Sequence, residues 1–149
     1  MHEFWENLFD GGAIWGLEPS VSAIKISKEF AKNEYKNILI PGFGYGRNLK
    51  PFAEKHISVT GIEISKSAIK QARLFGINIP IHNASVLDMP LDKSTYDGIY
   101  CYALLHLFNE VERNLFINSC FNQLKLNGEM VFLVVSPESE FKFVTTYTS

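Results

Sequence analysis

Apolar positions along this chain fall into two alternating kinds of run. Short, nearly unbroken apolar stretches centre on 37–41, 57–62, 79–82, 96–102 and 129–136. The last of them, with Met130, Val131, Phe132, Leu133, Val134 and Val135 in succession, is apolar on both faces. Strands read this way when helices cover both sides of a parallel sheet. Between them lie segments with helical spacing and helical punctuation. Ser20 is an N-cap for a helix over 21–32, with Ile24, Phe30 and Ala31 facing the sheet. A helix over 46–55 turns Leu49 and Phe52 inward. Ser65 caps a helix over 66–74. Asn109 and Glu112 have the spacing of a capping box and open a helix to about Lys125. Its stripe is Val111, Leu115, Phe116, Cys120 and Leu124, and Leu126-Asn127-Gly128 closes it. From Ile81 to Tyr96 the chain reads mostly as loop, with Pro90 as a breaker. Strands alternating with helices predict an α/β, doubly wound, Rossmann-like and mostly parallel sheet with helices on both faces.

Composition narrows the picture. The chain has 149 residues, 46% hydrophobic and 20% charged, with a net charge of −2. That is one domain with one core. It divides into an aromatic N-terminal segment over 1–19, a core over 20–136 and a strand-like tail over 137–149. No Lys/Arg block favours a nucleic-acid partner. No apolar stretch has the length of a membrane span, and the N-terminus lacks a basic region followed by an apolar one, so a cytoplasmic protein is expected. Cys101 and Cys120 lack metal spacing and fall inside core elements, which makes them buried free thiols. No metal site is expected.

The candidate chemistry sits at the ends of the strands. Gly42-Phe43-Gly44-Tyr45-Gly46 follows Ile38-Leu39-Ile40 directly, where the first strand gives way to a helix. Alternate glycines there let a ligand touch backbone and permit positive φ. The second strand ends on Glu63, an acid able to accept both hydroxyls of a ribose. Asp88, just past the third strand, is placed to accept from an adenine amine. Tyr102 ends the fourth strand. In a doubly wound sheet all four positions lie at the carboxyl edge, where such folds bind ligands.

Those residues, in that order, resemble the class I S-adenosylmethionine-dependent methyltransferases over roughly residues 20–136. The resemblance implies that Glu63 holds the ribose, Asp88 reads the adenine, and Gly42, Gly44 and Gly46 lie against the methionine part. It implies adenine contacts at Ala84 and Ser85, and a methyl-end lining from Tyr100, Cys101 and Tyr102. It also places Pro41, Ile64 and Val86 beside the cofactor. The cofactor is then S-adenosyl-L-methionine and the product S-adenosyl-L-homocysteine. The string Leu39-Ile40-Pro41-Gly42, with Trp15-Gly16 and Pro19 upstream, is similar to the thiopurine, thiol/halide and tellurite-resistance branch. There an aromatic N-terminal segment, here including Trp15, folds over the cofactor, and the acceptors are small soft nucleophiles. The motifs of nucleobase methylation are missing: Cys101-Tyr102-Ala103-Leu104 stands where they would be.

No catalytic base is evident. His106 is a candidate proton acceptor, although a His before an amphipathic helix is commonly a bystander. Arg47 and Asn48 are candidates for a ligand carboxylate, or are first-turn surface residues. The family sheet has seven strands, and only 13 residues follow Ser136 here, so the last strands look truncated. An apolar fifth strand at an edge invites pairing: either the tail, which can supply one strand at most, covers it, or a second chain does, or the sequence is a fragment, and a homodimer or tail exchange through that edge is expected. The shortfall also keeps a second reading open, a non-catalytic cofactor- or partner-binding scaffold. A nicotinamide oxidoreductase fits less well, because Arg47 stands where its fingerprint wants Gly.

Overall fold

The computed structural model describes residues 2–12, 16–136 and 139–148, with the side chains from 135 onward left out. In chain order the elements are α1 (His2–Asp10), α2 (Val21–Lys32), β1 (Asn37–Pro41), α3 (Leu49–Ala53), β2 (Ser58–Glu63), α4 (Lys66–Leu74) and β3 (Ile81–Asn83). After a 3-10 turn at Val86–Asp88 come β4 (Tyr96–Tyr102), a second 3-10 turn at Leu105–Leu107, α5 (Glu110–Asn122), β5 (Leu124–Ser136) and β6 (Ser139–Thr148).

The strands form one six-stranded sheet in the order β3-β2-β1-β4-β5-β6. The first five are parallel, and β6 alone runs antiparallel, against β5. The order reverses at β1, which pairs with both β2 and β4. Its carboxyl end is therefore the switch point, where diverging connections leave a crevice.

Alternation along each strand splits the core into two layers, as a sheet covered on both faces requires. Leu39, Ile99, Cys101, Met130 and Phe132 pack with Phe116 and Cys120 of α5. Ile38, Ile40, Tyr100, Val131 and Leu133 pack with Ala23, Ile26 and Phe30 of α2 and Phe52 of α3. The caps read from sequence form: the Ser20 hydroxyl accepts from Ala23 N, the Ser65 hydroxyl from Ala68 N, and Asn109 and Glu112 make both bonds of a capping box.

Several expectations are corrected. Within α2 the buried positions are Ala23, Ile26, Ser27 and Phe30, while Ile24 is exposed. α3 is five residues long rather than the expected ten, and Asn48 before it makes no side-chain cap bond, its amide oxygen accepting the Ser20 N–H at 2.8 Å. α5 ends at Asn122. Its buried line is Phe116, Ser119 and Cys120, whereas Val111 and Leu115 face outward. The segment 126–128 does not close that helix. It bulges out of β5, which advances from Leu124 to Glu129 while β4 advances only from Tyr96 to Gly98. Asn127 takes the positive φ of 66° that this excursion needs. Of the alternatives for the fifth strand, the one seen is cover by the tail. The tail supplies β6, whose backbone pairs with β5 from Glu129↔Thr148 to Ser136↔Ser139.

Candidate functional site

A cavity of about 410 Å³ opens at the carboxyl edge of the sheet, over the switch point. Its floor is the glycine turn. Gly42, Gly44 and Gly46 all have positive φ (70°, 62° and 87°), but their surroundings differ. At Gly44 a side chain would meet only Phe9 Cζ, 3.9 Å away, so this glycine faces open space. At Gly46 an added Cβ would lie 2.5 Å from Ile77 Cδ1 and 2.9 Å from the Phe43 ring. Gly46 is thus a packing glycine, and it stays out of the cavity's lining.

Glu63 organises the site. It is 6% exposed, and its two carboxylate oxygens accept the backbone N–H groups of Gly44 and Ser65, each at 2.8 Å. One side chain therefore ties the glycine turn to the start of α4. Burial pushes the Glu63 carboxyl above the ordinary range, and the two N–H donors pull it back in part. Each oxygen uses one N–H, which leaves acceptor capacity for further donors. The neighbouring strand end is fixed by Asn83, whose amide nitrogen donates to the carbonyls of Glu63 (3.0 Å) and Ile64 (3.1 Å). Ser85 accepts Leu87 N–H at 3.1 Å and starts the turn that forms one wall.

The opposite wall comes from the end of β4 and the turn after it. Tyr102, Ala103, Leu104 and His106 all line the cavity, and Ala103 holds a φ of 56°. Burial lowers the affinity of the His106 ring for a proton. Arg47 also lines the cavity, its guanidinium carbon 5.7 Å from the centre of the Tyr102 ring.

A third wall was not foreseen in detail. Trp5 and Phe9 of α1 close over the glycine turn. Their rings are stacked with centroids 6.0 Å apart, and Phe9 meets Tyr45 edge-on at the same separation. Glu6 clasps α1 to α4 by accepting Ser67 N–H at 2.9 Å and the Ser67 hydroxyl, and Gln71 donates to the Phe9 carbonyl. Tyr45 donates to the Gly16 carbonyl at 2.7 Å, holding the following segment down. Trp5 and Phe9 sit one helical turn apart, a spacing that marks one face of a helix.

Of the residues singled out from sequence, Gly42, Gly44, Glu63, Ile64, Ala84, Ser85, Val86 and Tyr102 come together on this cavity. Others do not. Pro41 and Asp88 are outside its lining, and Asp88 is exposed. Tyr100 and Cys101 are fully buried away from it. Tyr100 spends its hydroxyl on Ser22 (2.7 Å) and Ser20 (3.2 Å) under α2, and Cys101 points into the opposite layer. Alternation turns Cys101 to the face opposite Tyr102, while Tyr100 shares the Tyr102 face but lies two residues short of the strand end that reaches the crevice. Trp15 lies outside the described residues. Cys101 and Cys120 are free and buried, as expected. Among the described residues no helix is long and apolar enough to cross a membrane. Nor is any group of three or more His, Cys, Asp and Glu side chains placed there to hold a metal ion.

A doubly wound sheet with a glycine turn, a strand-end acid and a cavity at the switch point defines a nucleotide-binding α/β domain. A model of the methyltransferase domain family matches residues 38–128, and the chain belongs to that family. The methyltransferase domain binds S-adenosylmethionine. No curated protein matches the sequence. Among solved structures, the chain is similar to a protein described for the conversion of a disulfide bond into a thioacetal group during echinomycin biosynthesis. The identity is 20% and the TM-score 0.79, over 92% of this chain and 61% of that one. The plantazolicin methyltransferase BpumL, solved with a monoazolic desmethylPZN analogue and S-adenosylhomocysteine, gives 20% and 0.68, over 79% and 47%. An amino pentose methyltransferase of calicheamicin biosynthesis from Micromonospora echinaspora, solved with S-adenosylmethionine, gives 21% and 0.70, over 85% and 54%. At these identities the likeness is one of fold. The chain spans about half to three fifths of the length of these proteins.

Proposed function

We propose that this chain is an S-adenosylmethionine-dependent methyltransferase domain that passes a methyl group to a small-molecule acceptor. The observation that carries the reading is the Glu63 carboxylate, buried at the switch point, bonded to the glycine turn and with acceptor capacity left for a ribose. Gly42 and Gly44 would lie against the methionine part, and Ile64, Ala84, Ser85 and Val86 against the adenine. Asp88 keeps its assigned adenine role only if the turn at Val86–Asp88 moves. Pro41, Gly46, Tyr100 and Cys101 would support the site from behind.

The cofactor brings a methyl group on a sulfonium, already activated for displacement. The chain's part is then to orient and to exclude water. Orientation accounts for roughly 7–11 kcal/mol of a barrier when reacting groups are well placed. Trp5, Phe9 and Leu104 make the walls apolar. An acceptor that needs little deprotonation fits this cavity, because its carboxylates are already engaged and burial weakens His106 as a proton carrier. We therefore favour a thiol or related soft nucleophile, in keeping with the resemblance to the thiopurine, thiol and tellurite-resistance branch. The sulfur chemistry named for the echinomycin-pathway protein points the same way. Buried free thiols suit a cytoplasmic setting. Homodimer formation would pass through exchange of β6 between chains, since β5 is already paired.

Calorimetric titration of S-adenosylmethionine and S-adenosylhomocysteine into the wild-type chain and into Glu63→Ala tests the reading. Binding that the substitution abolishes is the expected result. Absence of binding by the wild-type chain would sink it. A second reading, a non-catalytic cofactor- or partner-binding scaffold, rests on the chain spanning only part of its structural neighbours. Binding without turnover of any small thiol would favour it.

A further inference from the structure

α1 lies outside both main layers of the core. Of its nine residues Phe9 alone is buried, in a small separate cluster with Tyr45, Ala68 and the partly buried Trp5. A polar clasp on α4 fixes the helix over the glycine turn. Glu6 accepts the Ser67 N–H at 2.9 Å and the Ser67 hydroxyl, and Gln71 donates to the Phe9 carbonyl. The Ser67 hydroxyl, against a smaller push from burial, holds the Glu6 carboxyl below its ordinary range, so the clasp is charge-assisted. It is also only half satisfied. Glu6 Oε2 and Gln71 Oε1 are buried with no hydrogen-bond partner among the described residues. His2 stands 4.0 Å from Glu6 Oε2, beyond hydrogen-bond range. Unmet buried acceptors raise the free energy of the docked helix, and undocking returns both to water. The chain leaves α1 through Gly11-Gly12, with Gly12 at a φ of 109°, a junction that swings at little backbone cost. The first turn of α4 joins cover and cavity: its Ser65 N–H goes to Glu63 and its Ser67 N–H to Glu6.

We infer that Glu6 is a positioning residue, the latch of a detachable cover. α1 carries Trp5 and Phe9 onto the cavity while Glu6 engages α4, and lifts as a unit to admit and release the cofactor. The cofactor's part in this rests on the function proposed above. Limited chymotryptic digestion without ligand reads the release of α1, through cuts after Phe4, Trp5, Leu8 or Phe9 scored by mass. Wild type is compared with Glu6→Ala, Glu6→Gln, Ser67→Ala and the Glu6→Ala/Ser67→Ala double variant. Cofactor exit is timed by chasing bound radiolabelled S-adenosylmethionine with unlabelled S-adenosylhomocysteine, and entry by mixing.

Glu6→Ala should be cut within α1 roughly ten- to hundredfold faster than wild type. Glu6→Gln, which keeps an acceptor, should fall between, and Ser67→Ala should add nothing once Glu6 is gone. Cofactor should enter and leave Glu6→Ala faster, so that both rates move more than the affinity does. A merely structural role for Glu6 would slow entry instead. Equal cutting of wild type and Glu6→Ala overturns the inference and leaves the methyltransferase reading intact. Independent, multiplying effects of Glu6→Ala and Ser67→Ala overturn it too, as does slower entry. A wild-type chain that binds no cofactor removes the function and the gating together.

Discussion

Glu63 accepts the Gly44 N–H at 2.8 Å, so the acid that ends β2 also sets the shape of the turn that ends β1. A second bond, from Ser65 N–H, carries the same carboxylate to α4. Removing the side chain strands two backbone donors, each costing about 1–3 kcal/mol if buried and unmet. Glu63→Gln keeps the shape and loses the charge. We expect Glu63→Gln to fold, melt lower than wild type and bind S-adenosylhomocysteine at least tenfold more weakly, read by thermal denaturation and calorimetry. Because burial raises the Glu63 carboxyl, protonation on acidification should weaken cofactor binding above the pH at which an ordinary carboxylate titrates. That pH dependence should vanish in Glu63→Gln.

The glycines of the turn should respond differently to alanine. Gly46→Ala puts a methyl 2.5 Å from Ile77 and 2.9 Å from Phe43 at a φ of 87°. Overpacking of this kind costs about 1–3 kcal/mol, on top of about 1–2 kcal/mol for the left-handed backbone. Gly44→Ala meets nothing closer than 3.9 Å and carries only the backbone cost. Denaturant titration should rank Gly46→Ala as clearly the less stable. Calorimetry should find the larger loss of cofactor affinity per unit of stability in Gly44→Ala.

Tyr100→Phe removes a hydroxyl that bonds Ser20 and Ser22 and leaves the ring in place. Burial pushes the phenol up to about 12, with the bonds to Ser20 and Ser22 pulling it back only in part, so it carries no proton traffic at neutral pH. The substitution should cost about 1 kcal/mol of stability and leave cofactor affinity unchanged. A selective loss of affinity would restore Tyr100 to the site.

Glu129 sits at the opposite end of the sheet with Glu29 of α2 as its neighbour. Burial first, then the hydrogen bond and charge of Glu29, raise the Glu129 carboxyl to about 7. A folded-state value above the unfolded one means that the contribution is whole below about 4.5 and is lost as pH rises through about 7. Wild-type melting temperature should therefore fall between pH 5 and pH 8. Glu129→Gln, neutral throughout, should flatten that slope, and a slope unchanged by the substitution would contradict the pairing.

β6 covers β5, so the chain should be monomeric unless β6 exchanges between molecules. Light scattering across a concentration series checks this, with a mass that doubles on concentration as the sign of exchange.

Strand–helix alternation, three helix caps, the glycine turn and the acid at the end of β2 were all legible along the chain. These follow from local chemistry: continuous apolar runs, Ser20, Ser65 and Asn109 before helical segments, and a glycine turn that backbone geometry demands. Glu63 was legible because strand ends in a parallel sheet have a fixed place. Tertiary contacts decided the rest. The Asn48 amide oxygen accepts the N–H of Ser20, 28 residues away, a partner that no local pattern names. Val111 and Leu115 look like core in the pattern, but the sheet meets Phe116 and Cys120 instead. Tyr100, Cys101 and Tyr102 are alike as a string, yet alternation sends Cys101 into one layer and both tyrosines into the other, where only Tyr102, at the strand's end, reaches the cavity. The docking of Trp5 and Phe9 over the turn depends on which distant groups arrive beside them. Local propensity is written along the chain, but partners are chosen by packing.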